Sequence, residues 1–281
     1  MAGLYALPPV TLPIEAIASF MPPHMGYAFP GLENLKSDIY PAIDVRKTPI
    51  LQQEGKVVLI TGAGKGIGKA MALNYAHASV STIIIASRTM SDLDEVEQKI
   101  KEIGKDIKVL KFRVDVTQED QVKHCAETVQ KQVGRLDILI NNAGDTAPWV
   151  PVANSDPTQW WMSFEISLKG SYLFTRFFLP LLTATAEKEG ELVHVINVTS
   201  IGAHGVMPGA NSYGIAKLAT LRLAEFVDLE YAEKGVVSVG VHPGNVRTTI
   251  IDRAEHLIPS EFLHMWDCVP VRRRREVLLT V

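Results

Sequence analysis

From Lys56 onward the chain alternates between short, nearly unbroken apolar runs and longer stretches with a helical period. The apolar runs are KVVLIT (56–61), STIIIAS (81–87), IKVLKFRVDV (107–116), LDILINNAG (136–144), ELVHVINVTS (191–200) and VVSVGVHPG (236–244). Their length and β-branched content predict strands buried on both faces. Between them, GIGKAMALNYAHA, SDLDEVEQKIKEIG, TQEDQVKHCAETVQKQVG, residues 158–185 and NSYGIAKLATLRLAEFVDLEYAEKG predict helices. Ser91 and Asp94 stand as N-cap and first-turn acid of the second helix. Thr117 opens and Gly134 closes the third, and Gly235 ends the last. This rhythm predicts an α/β domain with one doubly wound parallel sheet and helices on both faces. Such sheets bind ligands beyond the carboxyl ends of their strands, so the chemistry belongs in the loops after strands one to six.

Residues 1–52 break the pattern. They are rich in proline and show no period, which predicts an N-terminal extension, partly irregular, in which only PIEAIASF suits a short helix. Residues 53–281 are then the α/β domain. Composition changes this picture little: 47% hydrophobic and 21% charged residues are ordinary for a globular chain of 281. A formal net charge of −3 argues against a nucleic-acid surface. Cys125 and Cys268 have no metal-ligand spacing, so neither a metal site nor a disulfide framework is expected. Prolines at 8, 9, 13, 22 and 23 interrupt the first apolar run, and no later run is long enough to span a bilayer. A cytoplasmic protein is expected.

The first strand runs into TGAGKGIG, residues 61–68. Glycines 62, 64, 66 and 68 let the backbone turn tightly and approach a pyrophosphate, and the following helix offers unpaired N–H groups to an anion. The spacing differs from GxGxxG and lacks the GK[ST] of an ATP-binding loop. TGAGKGIG resembles the TGxxxGxG of the short-chain dehydrogenase/reductase family. NNAG at 141–144, Ser200 at the end of strand five, Tyr213 and Lys217 as YxxxK, and HPGNVRT at 242–248 follow in the family's order. The resemblance covers about residues 53–250 and implies a Rossmann-type sheet of order 3-2-1-4-5-6, with a seventh strand in doubt.

The resemblance also implies a nicotinamide cofactor. Gly62, Lys65, Gly66, Ile67 and Gly68 would hold its pyrophosphate side; Asp115 and Val116 would flank the adenine. Asn142, Ala143 and Gly144 would meet the adenine ribose side, and Val246 and Thr248 would lie near the nicotinamide. NAD-binding relatives carry an acid at the end of strand two. Here Ser87 takes that place and Arg88 follows. A serine, an arginine and Lys65 suit a 2′-phosphate, so NADP(H) is expected over NAD(H).

An unperturbed tyrosine, with a pKa of about 10, is a poor proton carrier at neutral pH. A lysine ammonium at about 4 Å, with an effective dielectric of 20, would favour the phenolate by roughly 4 kcal/mol before desolvation opposes it. Tyr213 is therefore the expected general acid or base, Lys217 its tuner, and Ser200 a donor to the substrate oxygen. His194, His204 and His242 are read as packing or pocket lining. Trp149, Met207, Phe262 and Met265 lie in the expected substrate segments and imply an apolar small-molecule carbonyl or alcohol.

Two positions depart from the family. Ser167, in EISLKG, stands where relatives have an asparagine that helps hold a proton-relay water. After IDRAEHLIPSEFLHMW, the tail DCVPVRRRREVLLTV is too short for the usual last helix and strand; EVLLTV remains open as a strand, and without it the sheet keeps an exposed edge, as in a shortened product. The leading expectation is an oxidoreductase interconverting ketone and alcohol, similar to family members from fungal secondary metabolism. A weakly catalytic nucleotide-binding protein and a non-enzymatic partner subunit remain open, as does assembly into a dimer or tetramer.

Overall fold

The structure, a computed structural model, describes residues 39–244 together with Val246, Thr248 and Ile258. The PIEAIASF segment, Phe262, Met265 and the tail carrying the doubtful seventh strand lie outside the described residues. Six strands form one sheet: β1 (Val57–Thr61), β2 (Thr82–Ser87), β3 (Lys108–Arg113), β4 (Ile138–Asn141), β5 (Val193–Val198) and β6 (Val236–Val241). All pairs are parallel, in the order β3-β2-β1-β4-β5-β6. The helices are α1 (Gly66–His77), α2 (Met90–Ile103), α3 (Glu119–Gln132), α4 (Pro157–Phe164), α5 (Gly170–Glu189) and α6 (Asn211–Tyr231).

The near-continuous apolar strands follow from burial on both sides. In β1, Val57 and Leu59 face a cluster completed by α3, α5 and Val227 of α6. Val58 and Ile60 face the opposite cluster, built with Met71, Ala72 and Ala76 of α1 and Leu93, Val96 and Ile100 of α2. Period-two alternation is present but hidden, because both phases are apolar.

Several boundaries differ from the sequence expectation. α2 starts at Met90 with Thr89 as N-cap, so Ser91 lies inside the helix and Asp92 is its first-turn acid. α3 is capped at Gln118; the Thr117 hydroxyl instead bonds the Asp115 carboxylate at 2.8 Å. Gly134 does close α3, at φ 68, and its N–H bonds Val129 O. The helix expected over 158–185 is three pieces: α4, a π turn at Glu165–Lys169, and α5, which runs on to Gly190 in the left-handed region. Residues 39–52 are not loose. Two 3-10 turns, Pro41–Ile43 and Pro49–Leu51, bury Asp44 and Val45, and Gln53 N–H bonds Ala78 O at 2.7 Å.

Candidate active site

The carboxyl ends of β1, β2, β4 and β5 open into one cleft of about 320 Å³. It collects Gly62, Lys65, Gly66, Ile67, Ser87, Arg88, Asp115, Val116, Asn142, Ala143, Gly144, Ser200, Tyr213, Lys217, Val246 and Thr248. Of the catalytic and cofactor residues expected from the sequence, Gly68 and Ser167 do not line it. Both work from behind.

Gly68 is a spacer. A Cβ there would lie 2.4 Å from Gly62 O and 2.6 Å from Asn142 Nδ2, so only glycine lets α1 press against the first turn. Asn142, which lines the cleft, also acts as a clamp. Its Nδ2 donates to Thr61 O at 2.8 Å, and the Asn142 and Ala143 N–H groups both bond the Thr61 hydroxyl. β4 thereby fixes the turn after β1. The N-terminus of α1 has no side-chain cap and no acid in its first turn. Its N–H groups and positive dipole end stay available to an anion, which fits a dinucleotide pyrophosphate.

At the other end of the cleft, α6 is anchored through its first turn. Ser212 Oγ donates to Trp160 O, Trp160 Nε1 donates to Asn211 Oδ1 at 2.6 Å, and Asn211 Nδ2 donates to Val150 O. The short turn Ile201–Ala203 packs against α6 where Gly202 and Gly214 nearly touch: a Cβ on Gly214 would be 2.8 Å from Gly202 O. This close approach brings Ser200 and Tyr213 to the same wall of the cleft, near enough for the serine hydroxyl to act on the phenol.

Lys217 is buried with Nζ donating to Val198 O at 2.8 Å, and Nζ sits 5.8 Å from the centroid of the Tyr213 ring. Burial pushes its pKa down to about 8. Burial raises the Tyr213 phenol, while the Ser200 hydrogen bond works the other way. Desolvation, which opposes the lysine's effect, has the larger weight on Tyr213 here, and the Lys217 ammonium is turned to a backbone carbonyl.

Ser167 lies in the π turn, 1% exposed, with its hydroxyl oxygen lacking a hydrogen-bond partner. Its carbonyl is taken by the hydroxyls of Ser171 at 2.6 Å and Thr220 at 3.3 Å. A Cβ on Gly144 would lie 3.3 Å from Lys217 Nζ and 3.8 Å from Ser167 Oγ, so the lysine and serine meet beside this one glycine. Tightness here explains the glycine of NNAG.

His242 lines the cleft as expected. Its Nδ1 accepts from Ile201 N–H at 3.2 Å, which places the ring proton on Nε2, and burial lowers its pKa. His194 and His204 do not line the cleft; Trp149, Met207 and Ile258 do. Asp92 is the residue that sequence reasoning missed. It lines the cleft and holds Lys65, Oδ2 to Nζ, at 3.2 Å. Starting α2 at Ser91 hid it; counted from Thr89, it is the third residue of the helix.

Comparison with known proteins agrees with this geometry. A family model described as short chain dehydrogenase matches residues 56–256. The short chain dehydrogenase citE of Monascus ruber is 41% identical over 234 residues, 82% of this chain and 76% of the relative. Among solved structures, a short-chain type dehydrogenase/reductase from Mycobacterium marinum superposes with TM-score 0.68 at 26% identity, over 77% of this chain and 81% of that one. A 3-ketoacyl-(acyl-carrier-protein) reductase from Brucella melitensis, complexed with NADH, superposes with TM-score 0.65 at 27% identity, covering 71% and 79%.

Proposed function

The chain belongs to the short-chain dehydrogenase family, an oxidoreductase of CH–OH and C=O groups, and we propose that it is an NADP(H)-dependent reductase of ketones on apolar small molecules, with Tyr213 as the acid. The observation that carries this is that Ser200, Tyr213 and Lys217 line one cleft that continues to the uncapped end of α1. The bound nicotinamide supplies or accepts the hydride. The chain's own residues handle the proton. Tyr213, neutral through burial, gives its proton to the carbonyl oxygen in reduction and takes it back in alcohol oxidation. Ser200 donates to the same oxygen and stabilises charge developing there. Lys217, mostly protonated at neutral pH, offsets the phenolate that remains and, as the family resemblance implies, would hydrogen-bond the cofactor ribose.

Ser87, Arg88 and Lys65 around one end of the cleft support NADP(H) over NAD(H). Trp149, Met207 and Ile258 at the other end support an apolar substrate of the secondary-metabolite kind. Free Cys125, buried, with its thiol pushed up to about 12, is compatible with the cytoplasm. Trp161 on α4, with Ile215, Leu218, Phe226 and Leu229 on α6, leaves an exposed apolar row that supports self-association, to be measured by light scattering.

NADPH oxidation over a panel of ketones and quinones tests the reading. Tyr213→Phe is expected to lower kcat by roughly a hundredfold or more while cofactor affinity stays within about twofold. An unchanged rate refutes the assignment. A cofactor-binding protein of weak turnover is the second reading, motivated by Ser167 standing where relatives have an asparagine. Tight NADPH binding without turnover on the whole panel would select it.

A further inference from the structure

We propose that Asp92 sets how strongly the site distinguishes NADP(H) from NAD(H), acting as a resident counter-ion that a 2′-phosphate must displace from Lys65. The inference rests on the nicotinamide reading above and concerns one carboxylate that reading does not use. Asp92 stands in the first turn of α2, where the helix dipole stabilises an anion. Its carboxylate pairs with Lys65 at 3.2 Å, with the Asp92 side chain 21% and the Lys65 side chain 48% exposed, so solvent and salt weaken the pair without abolishing it.

The pair sits against the end of β2. A Cβ on Gly64 would be 2.9 Å from Asp92 Cβ and 3.1 Å from Ser87 Oγ, so turn, serine and aspartate meet at one point. Arg88, exposed beside them, forms no ion pair among the described residues. Two cations and one carboxylate therefore line this corner. The two cations attract a 2′-phosphate; Asp92 repels it and already occupies Lys65. A ribose with a free 2′-hydroxyl meets no such opposition, and the carboxylate can accept from it. One residue thus lowers affinity for the phosphorylated cofactor and not for the other. Ser87 is partly withdrawn as well, because its hydroxyl bonds both N–H and O of Thr89.

The test is calorimetric titration of the full chain with NADPH, NADH, 2′,5′-ADP and 5′-ADP, for wild type and Asp92→Asn. Asparagine keeps the size of the side chain and removes the charge. Should it fold poorly, Asp92→Ser supplies a helix-start side chain instead. The substitution is expected to tighten NADPH and 2′,5′-ADP by roughly five- to tenfold, with NADH and 5′-ADP moving less than about twofold. Lys65→Gln should weaken the phosphorylated pair selectively. Asp92 is overturned as the determinant if both pairs tighten equally or neither moves. A wild type without preference for 2′,5′-ADP, in which Asp92→Asn creates one, would defeat the NADP(H) reading and leave this inference standing. A wild type with the preference and an inert Asp92→Asn would do the reverse.

Discussion

Lys217 shows how a functional side chain is held at a cost to the fold. Its ammonium is buried against Val198 O, and its pKa is pushed down from 10.5 to about 8. A depressed lysine binds fewer protons folded than unfolded, so stability rises as pH climbs from about 8 toward 10.5. Below pH 8 the full penalty applies, about 3 kcal/mol by linkage. Lys217→Met should therefore raise the urea midpoint at pH 7, less the lost hydrogen bond, and the gain should shrink at pH 9.5. Ser167 poses the matching question of proton supply. Its hydroxyl has no partner in the structure, and its carbonyl is engaged by Ser171 and Thr220. If the hydroxyl passes protons toward Lys217, Ser167→Ala should lower kcat several-fold and leave cofactor affinity unchanged. As a mere unsatisfied group, its removal should instead stabilise the fold by about 1 kcal/mol at constant kcat. Steady-state kinetics and urea melts on one variant separate the two.

At the scale of elements, the cleft depends on close approaches that only small residues permit. Gly68 lets α1 reach the turn after β1, Gly170 lets α5 reach the end of β3, where a Cβ would lie 2.6 Å from Val116 Cγ2, and Gly214 lets α6 reach Gly202 O. Gly68→Ala would push a methyl into Gly62 O, backbone that cannot swing aside. A loss of about 1–3 kcal/mol is expected, with cofactor binding weakened together with stability. Gly202→Ala makes only ordinary contacts, at 3.5 Å to Ser200 Oγ and 3.6 Å to the Tyr213 ring, so its melting temperature should stay near wild type. The π turn at Glu165–Lys169 belongs to this scale too. It inserts one residue per turn where Ser167 packs beside Gly144 and Lys217, and an extra residue of this kind in a helix commonly marks a functional site.

Across the whole molecule, polar work is divided between the two ends of the sheet. The carboxyl ends carry the cleft. The amino ends carry an ion network centred on Asp137, which is buried and bonded by Arg135 at 2.7 and 2.8 Å, by Val57 N–H at 2.8 Å and by Lys56 at 3.3 Å. Burial alone would raise the Asp137 carboxyl. The Arg135 and Val57 hydrogen bonds outweigh it and hold the pKa below the usual range. A lowered carboxylate contributes stability above its unfolded pKa of 3.8, lost as pH falls through the folded value. Asp137→Asn should cost about 3 kcal/mol at pH 7 by removing the buried charge that Arg135 and Lys56 share and leaving them only Glu189 and Glu191, flatten the acid limb of stability, and spare NADPH affinity. No helix of the described residues is long and apolar enough to cross a membrane.

The sequence by itself determined the strand–helix alternation, the glycine turn, the Tyr213–Lys217 spacing and the family, because these depend on local period and on motifs read within a few residues. Its misreadings were equally local. Ser91 and Thr117 looked like caps by residue type, but packing started α2 at Met90 and turned Thr117 toward Asp115. Only the tertiary structure showed that Asn142 clamps the β1 turn, that Lys217 faces a carbonyl, and that Asp92 meets Lys65. Each joins groups far apart in the chain, and desolvation, which decides the Tyr213 and Lys217 protonation, has no value until the sheet and α6 close around them.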